Sequence, residues 1–232
     1  MNERPDRAGP FDTGSHYVLL AMSLAVIAWS GTSPFHRDDW LLENALVAVA
    51  LPLIVYGYRR LRFSYASYLS LFFLLCLHEI GAHFTYSNVP YVDWLRSAGV
   101  SWPFPDPSRN GYDRFVHFSY GVLVMPATLE LFARRAAAGI WRYLFPLTFV
   151  MAHSTVYELL EWMAASVFGG DLGEAYLGTQ GDPWDAQKDM LMASSGAALS
   201  LTVLALMRRG GRSAHPVPGH GQGAPGARLP PL

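Results

Sequence analysis

Side chains that could bind a metal ion lie within or beside the apolar segments of this chain, where ionisable residues are uncommon. Histidine nitrogens and carboxylate oxygens are ligands for zinc, manganese and iron. The sequence therefore predicts a divalent-metal site with the candidate ligands His78, Glu79, His83, Asp113, His117 and Glu158. A carboxylate beside a bound metal ion can act as a general base. The candidates for a catalytic role are Glu79, Glu158, Glu161 and Asp185.

The hexapeptide from His78 to His83 differs from a zinc-protease motif in its spacing. Its histidines are five residues apart, which turns them about 140° from each other on an α-helix. A zinc-protease helix has its two histidines four residues apart. Glu79 and His83 do have that spacing and share a face. We expect these two residues to form one wall of the site, with His78 as a ligand from the adjacent face or a packing residue.

Later segments contain further polar residues whose spacing puts them on one helix face. They are Asp113 and His117, then His153, Tyr157 and Glu161 with Glu158 beside them, and then Asp182, Asp185 and Asp189. The predicted site combines the hexapeptide wall with His117 and with Glu158 or Glu161. A structural explanation is also available, since Asp113 and Asp185 could cap their helices and complement the helix dipole.

The composition indicates that membrane helices carry these residues. Only 15% of the residues are charged and 51% are hydrophobic, whereas soluble domains are about 25% charged. The net charge of -1 provides no basic surface for nucleic acid, so nucleic-acid binding is excluded. Cys76 is the single cysteine, which excludes a disulfide framework and a thiolate zinc site within one chain.

Six apolar segments are expected to cross the bilayer, because a hydrocarbon core about 30 Å thick requires about 20 helical residues. They are residues 17–29, 40–58, 63–85, 114–132, 140–168 and 187–207. The predicted fold is an all-α, polytopic six-helix transmembrane bundle over residues 16–207. A cytoplasmic segment, 1–15, would precede it, and a disordered Pro/Gly-rich cytoplasmic tail, 208–232, would follow. The connection 87–113 is expected to hold a short interfacial helix around 91–98.

Arginines cluster near both termini and in every second connection between these segments. They are Arg4, Arg7, Arg59, Arg60, Arg62, Arg134, Arg135, Arg142, Arg208, Arg209 and Arg212. The positive-inside rule puts this face in the cytoplasm, together with both termini. The candidate site residues then lie toward the outer leaflet of the membrane.

The motifs of this chain resemble those of the YjdF-type family of bacterial inner-membrane proteins over residues 16–207. The matching residues are His78-Glu79, His83-Phe84-Thr85-Tyr86, Tyr112-Asp113-Arg114, His117-Phe118, Tyr157-Glu158, Glu161-Trp162, Leu177-Gly178-Thr179-Gln180-Gly181-Asp182-Pro183-Trp184-Asp185, Gln187 and Asp189-Met190. This resemblance implies a multi-pass protein of the inner (plasma) membrane and no particular activity. The Asp-basic-x-x-His-Phe pattern that starts at Asp113 is also similar to VanZ-like membrane proteins, which implies an envelope or lipid-linked context.

Three functions are compatible with these residues. The first is a divalent-metal-dependent membrane enzyme that acts on a lipid or envelope substrate. The second is a proton- or ion-coupled transporter, which would need a polar path through the inner leaflet, where the segments offer little beyond Glu130. The third is a structural or accessory membrane protein in which the polar residues only hold the helices together. The lipid bilayer is the expected environment in all three cases, and the sequence leaves the oligomeric state open.

Overall fold

The computed structural model describes residues 13–100, 109–134 and 139–213. The predicted N-terminal segment up to residue 12 and the predicted tail from residue 214 lie outside this part of the chain. The described residues form α-helices and one 3-10 turn, Tyr86–Asn88, and contain no β-strand. The helices are α1 (Thr13–Ser30), α2 (Arg37–Leu61), α3 (Tyr65–Phe84), α4 (Tyr91–Ser97), α5 (Tyr112–Ala133), α6 (Trp141–Phe168), α7 (Gly170–Leu177) and α8 (Asp185–Ser213). The all-α prediction is confirmed.

Each predicted apolar segment corresponds to one long helix, but only four of these helices have the length and apolar composition of a membrane span. These four are α2, α3, α5 and α8 up to Met207. The α1 helix is apolar but shorter, and the 28 residues of α6 include His153, Glu158 and Glu161, which lower its hydropathy. The structure therefore supports a helical membrane bundle, and a total of six spans stays a prediction.

The α5 helix is central to the bundle. It packs against α3, α6 and α8, while α1 packs on α3 and α2 contacts α3 and α7. The buried residues of α2 are Asp39, Glu43 and Asn44, which lie in its first two turns. No residue of α2 between 45 and 61 is buried. The later turns of α2 are thus only loosely packed against the rest of the bundle.

The contact between α5 and α8 is close because glycines occupy both helices where they meet. A Cβ atom at Gly121 would lie 2.0 Å from the carbonyl oxygen of Ala193. A Cβ atom at Gly196 would lie 2.1 Å from the carbonyl oxygen of Phe118. Small residues allow membrane helices to approach in this way and gain van der Waals contact. This contact fixes the positions of the first turns of α5 and α8 relative to each other.

At the opposite end of the bundle, α5 holds the start of α3. The Ser64 hydroxyl caps α3 by accepting a hydrogen bond from the main-chain N–H of Ser67 at 3.2 Å. Glu130 accepts hydrogen bonds from the Ser64 N–H at 2.8 Å and from the Ser67 hydroxyl at 2.7 Å. A carboxylate at a helix N-terminus complements the helix dipole. Glu130 therefore has a structural role far from the candidate site residues.

A short helix, α4, is present where the interfacial helix was predicted, and its position at the membrane interface stays a prediction. The α7 helix was not predicted. The connection after α7 folds across the segment before α5. Arg109 donates hydrogen bonds to the carbonyl oxygens of Thr179 and Gly178. The Asn110 N–H donates to Gln180 Oε1 at 2.7 Å, and Gln180 Nε2 donates back to the Asn110 carbonyl at 3.0 Å. These bonds tie the starts of α5 and α8 together on the side of the candidate site.

Candidate functional site

A polar cluster lies at the end of the bundle where α2, α3, α5, α6 and α8 meet. Electrostatic interactions link its carboxyl groups to one another across these helices. We define the polar cluster as Asp39, Glu43, His78, Glu79, Asp113, His117, Glu158, Glu161, Asp185 and Asp189. All of its carboxylate residues are buried except Asp113, which is partly buried. Most of the predicted site residues thus lie in one part of the bundle, and their role as a functional site stays a prediction.

His117 lies between two carboxylates. Its Nε2 atom is 3.5 Å from Asp113 Oδ1 and 3.6 Å from Glu158 Oε1. Ligand atoms of Asp113, His117 and Asp189 all lie within 4.8 Å of one another. Two ligands at about 2.1 Å from a tetrahedral ion are about 3.4 Å apart. The two distances from His117 Nε2 are close to this value, whereas the 4.8 Å spread of the three ligand atoms is wider, so these side chains would have to move closer together to hold an ion.

Two carboxylates beside His117 have an oxygen with no hydrogen-bond partner among the described residues. These oxygens are Glu158 Oε1 and Asp189 Oδ1. Glu158 is only 9% exposed and Asp189 only 2% exposed, so neither oxygen reaches bulk solvent. A buried, unpaired carboxylate is unfavourable, and a cation between these groups would satisfy them.

The basic residues nearest to the polar cluster form ion pairs along one of its edges. Arg109 pairs with Asp185, and both side chains are almost fully buried. Arg114 lies 2.5 Å from Asp182 and 3.4 Å from Asp185, and Lys188 lies 2.5 Å from Asp182. Hydrogen bonds from Lys188 and from the main chain of Trp184, together with Arg114, hold the pKa of the Asp182 carboxyl well below its usual range. We call Arg109, Arg114, Asp182 and Lys188 the charged rim.

The structure adds two acidic residues of α2 that the sequence reasoning missed. Asp39 is 1% exposed and neither of its carboxylate oxygens has a hydrogen-bond partner in the described part of the chain. Glu43 lies one turn later, and the Tyr157 side chain interacts with both Glu43 and Glu161. The spacing of four residues could have identified this pair. The sequence does not single out this pair, because Asp39 precedes the predicted span and Glu43 lies inside an apolar run.

Glu79 and His83 face α1 rather than the centre of the polar cluster. The Ser30 hydroxyl donates a hydrogen bond to Glu79. His83 Nδ1 lies 2.9 Å from the carbonyl oxygen of Ser30, and the imidazole stacks on the Trp29 ring with 5.0 Å between ring centroids. These contacts join the end of α3 to the end of α1. A metal-binding role for His83 stays a prediction, and the structure gives its imidazole a packing position.

His78 is the histidine of the hexapeptide that faces the interior of the bundle. Its Nδ1 atom lies 2.7 Å from the Tyr86 hydroxyl, and its buried Nε2 atom has no hydrogen-bond partner among the described residues. Gly81 makes room for the Tyr86 ring, since a Cβ there would lie 2.5 Å from Tyr86 Cζ. Burial raises the pKa of Tyr86 well above its usual value, so its hydroxyl stays protonated.

A cavity of about 1200 Å³ extends from the polar cluster along the bundle between α1, α2, α3, α5 and α6. We call this cavity the groove. At the cluster end its walls include His78, Asp113, His117 and Tyr157. Away from the cluster the lining is mainly apolar and includes Leu53, Phe72, Val124, Leu131 and Phe149. The far end of the groove is lined by His16, Arg59 and Arg60. The groove therefore has an acidic end at the polar cluster, a basic end and a long apolar body between them.

Comparison with known proteins agrees with the resemblance that the sequence motifs predict. Residues 15–210 match the model of the family described as "Predicted membrane protein (DUF2238)". The chain is 32% identical over 192 residues to the "Inner membrane protein YjdF" of Escherichia coli (strain K12), which covers 80% of this chain and 86% of that protein. No solved structure matches the chain.

Proposed function

The chain belongs to the DUF2238 family of predicted membrane proteins, and we propose that it is an enzyme that binds a divalent metal ion in its polar cluster. The proposed location is the bacterial inner membrane, with both termini in the cytoplasm. The name of the related Escherichia coli protein supports the location, and the arginine distribution supports the orientation. Membership of this family brings no activity with it, so the proposed chemistry depends on the geometry of the site.

The observation that carries the proposal is the convergence of Asp113, His117 and Asp189, whose ligand atoms lie within 4.8 Å of one another. These ligand types suit zinc, manganese or iron. Asp113 and His117 come from one face of α5, and Asp189 comes from the first turns of α8. The close contact between α5 and α8 supports a stable arrangement of the three ligands.

The charge of the polar cluster also favours a bound cation. Seven carboxylates of the polar cluster form no ion pair with a lysine or arginine among the described residues. They are Asp39, Glu43, Glu79, Asp113, Glu158, Glu161 and Asp189. Ionised groups that are buried in a membrane protein are expected to pair with opposite charge. A divalent ion near His117 would provide positive charge that the charged rim does not.

In the proposed reaction Asp113, His117 and Asp189 would hold the ion, which would polarise a substrate oxygen or activate water. Glu158 is suited to be the general base because Oε1 is unpaired and lies 3.6 Å from His117 Nε2. Glu161, which interacts with Glu158 and with Tyr157, would orient it. The expected substrate is a lipid or envelope molecule, since the site opens into an apolar groove inside the bundle.

The groove favours an enzyme over an ion transporter. The Tyr120 hydroxyl lies 2.8 Å from His153 Nδ1. Beyond this pair the lining is mainly apolar, with Val124, Leu131 and Phe149, until His16, Arg59 and Arg60 at the far end. A path for ions or protons would need polar groups there.

The unpaired buried oxygens of Glu158 and Asp189 also argue against a purely structural cluster, in which such groups are normally satisfied.

Metal binding by the purified protein tests the proposal. Protein in lipid nanodiscs is stripped of metal and titrated with Zn²⁺, Mn²⁺ and Fe²⁺ under anaerobic conditions. The wild type is expected to bind one of these ions stoichiometrically, and Asp189→Asn should weaken binding by at least about tenfold. Asp93→Asn is the matched control, because Asp93 lies on the exposed α4 helix, where it pairs with Arg96. A folded wild-type protein that binds none of the three ions would refute the proposal.

A further inference from the structure

We infer that the groove binds the hydrocarbon portion of a lipid whose anionic head group lies at Asp113, His117 and Tyr157. This inference rests on the proposed metal site, because the ion would be the partner of the anionic head. The substrate of that site would then be an amphiphile with a phosphate or carboxylate head. The groove, and not only the polar cluster, would then determine which molecules the protein accepts.

The length of the groove fits a hydrocarbon chain. On α5 the groove is lined from Asp113 to Leu131, a distance of about 27 Å along a helix at about 1.5 Å per residue. The hydrocarbon core of a bilayer is about 30 Å thick. A chain whose head lies at Asp113 could thus extend along the groove through most of the membrane.

The groove has two polar ends, and the end at the polar cluster is the one that would hold the proposed ion. Asp113 and His117 belong to both the proposed metal site and the groove wall. A phosphate or carboxylate oxygen in this position would be a suitable additional ligand for the ion. Arg59 and Arg60, at the other end of the groove, are exposed, so solvent screens their charge.

The position of α2 gives a lipid a way into the groove from the bilayer. Leu46, Val49 and Leu53 of α2 form part of the groove wall, and no residue of α2 after Asn44 is buried. A lipid chain can therefore enter sideways between α2 and the rest of the bundle without crossing an aqueous phase. A water-soluble substrate would gain nothing from such an opening.

Photolabelling in nanodiscs tests the inference. The probe is hexadecyl phosphate with a diazirine at the end of its chain, and labelled residues are mapped by mass spectrometry. Labelling is expected at residues of the groove far from the polar cluster, such as Leu131 and Phe149. Unlabelled hexadecyl phosphate should compete, whereas inorganic phosphate and hexadecanol should compete much less. Labelling confined to the exposed outer surface, for example to Val203 and Leu206 of α8, would overturn the inference.

Substitutions that fill the groove provide a second test of lipid binding there. Ala50→Trp on α2 places a large side chain at a groove-lining position and should reduce labelling by roughly tenfold. Ala198→Trp is the matched control, because Ala198 is an exposed alanine of α8 that does not line the groove. Val124→Phe fills the groove from α5 and replaces Ala50→Trp as the test if that variant does not fold. Equal labelling of the filled variants and the control contradicts the inference.

The same samples separate failure of the inference from failure of the proposed metal site. Metal binding without labelling in the groove rejects the lipid and leaves the metal site standing. If the groove is labelled but the protein binds no metal, the proposed function is rejected. The position of the head group is rejected with it, because the head would have no ion to bind. Hexadecanol would then compete as well as hexadecyl phosphate does.

Discussion

The imidazole of His117 and the carboxylate of Glu158 face each other from neighbouring helices, with 3.6 Å between Nε2 and Oε1. This Glu158 oxygen has no hydrogen-bond partner among the described residues. The pair therefore joins a candidate metal ligand on α5 to a candidate general base on α6. Several of the predictions below depend on how these two residues share the site.

Replacement of Glu158 by Gln is expected to weaken metal binding without abolishing it. Groups beside the ligands of a metal ion typically contribute about 10–100-fold to its affinity. Isothermal titration of metal-depleted protein measures the effect. Glu174→Gln on the exposed surface of α7 is the control and should bind as the wild type does. An affinity unchanged by Glu158→Gln would show that this carboxylate does not support the ion.

Metal affinity is expected to fall as the pH falls from 7.5 to 5.5. Histidine binds a metal ion only when its ligand nitrogen is unprotonated, and carboxylates bind when ionised, so protons compete with the ion. The affinity should fall by about tenfold per pH unit for each competing proton. Titrations at several pH values measure this slope. The Asp93→Asn variant should show the same slope, and binding that is independent of pH would contradict a site built from His117, Asp113 and Asp189.

Substitution of His83 is expected to affect stability and to leave metal binding unchanged. Its imidazole bonds to the Ser30 carbonyl and stacks on Trp29, so His83→Ala should destabilise the α1–α3 contact by about 1–3 kcal/mol. Denaturation in detergent measures the stability, and titration of the folded fraction measures metal binding. His117→Ala is the contrasting variant and should lose the metal. Loss of metal from folded His83→Ala protein would instead restore His83 as a ligand, as the sequence predicts.

Alanine at Gly121 or Gly196 is expected to reduce both stability and metal binding. A Cβ at either position would overlap a main-chain carbonyl oxygen of the facing helix, so α5 and α8 would have to move apart. Such overpacking typically costs about 1–3 kcal/mol. Thermal unfolding in nanodiscs and metal titration measure the two effects. Gly14→Ala, where a Cβ would contact nothing within 4 Å, should be neutral, and an equally neutral Gly121→Ala would contradict the close packing.

Arg109→Gln is expected to be among the most destabilising substitutions outside the metal ligands. Its guanidinium pairs with buried Asp185 and bonds to the carbonyl oxygens of Gly178 and Thr179. Removal of one partner of a buried ion pair costs about 3–5 kcal/mol. Arg96→Gln is the control, because its pair with Asp93 is exposed and contributes about 1 kcal/mol or less. Similar unfolding midpoints for the two variants would show that the Arg109 pair does not hold the loop before α8.

The sequence predicts the long helices well because apolar segments of membrane length form helices whatever their neighbours are. It also predicts correctly that His78 and His83 diverge, since helical geometry alone determines the angle between them. It does not predict which of the two faces the interior. That depends on where α1 packs, and the Ser30 and Trp29 contacts of His83 come from that packing.

The residues of the polar cluster that come from α2 and α8 show a further limit of sequence reasoning. Helical spacing puts Asp185 and Asp189 on one face, but it does not predict which of the two lies beside His117. The contacts of Gly121 and Gly196 decide this, and they bring Asp189 to the histidine while Asp185 pairs with Arg109. Glu43 lies in an apolar run inside the predicted span 40–58. Its neighbours on other helices are distant in sequence, so the sequence does not connect it to the site.

The α2 helix contributes Glu43 to the polar cluster and Leu46, Val49 and Leu53 to the groove wall. One helix position therefore affects both an ion near His117 and a chain in the groove. Thermodynamic linkage then makes the two binding events reciprocal: the factor by which a lipid changes the affinity for the ion equals the factor by which the ion changes the affinity for the lipid. The position of α2 would thus couple the proposed ion site to the proposed lipid site, so that a change at one is felt at the other.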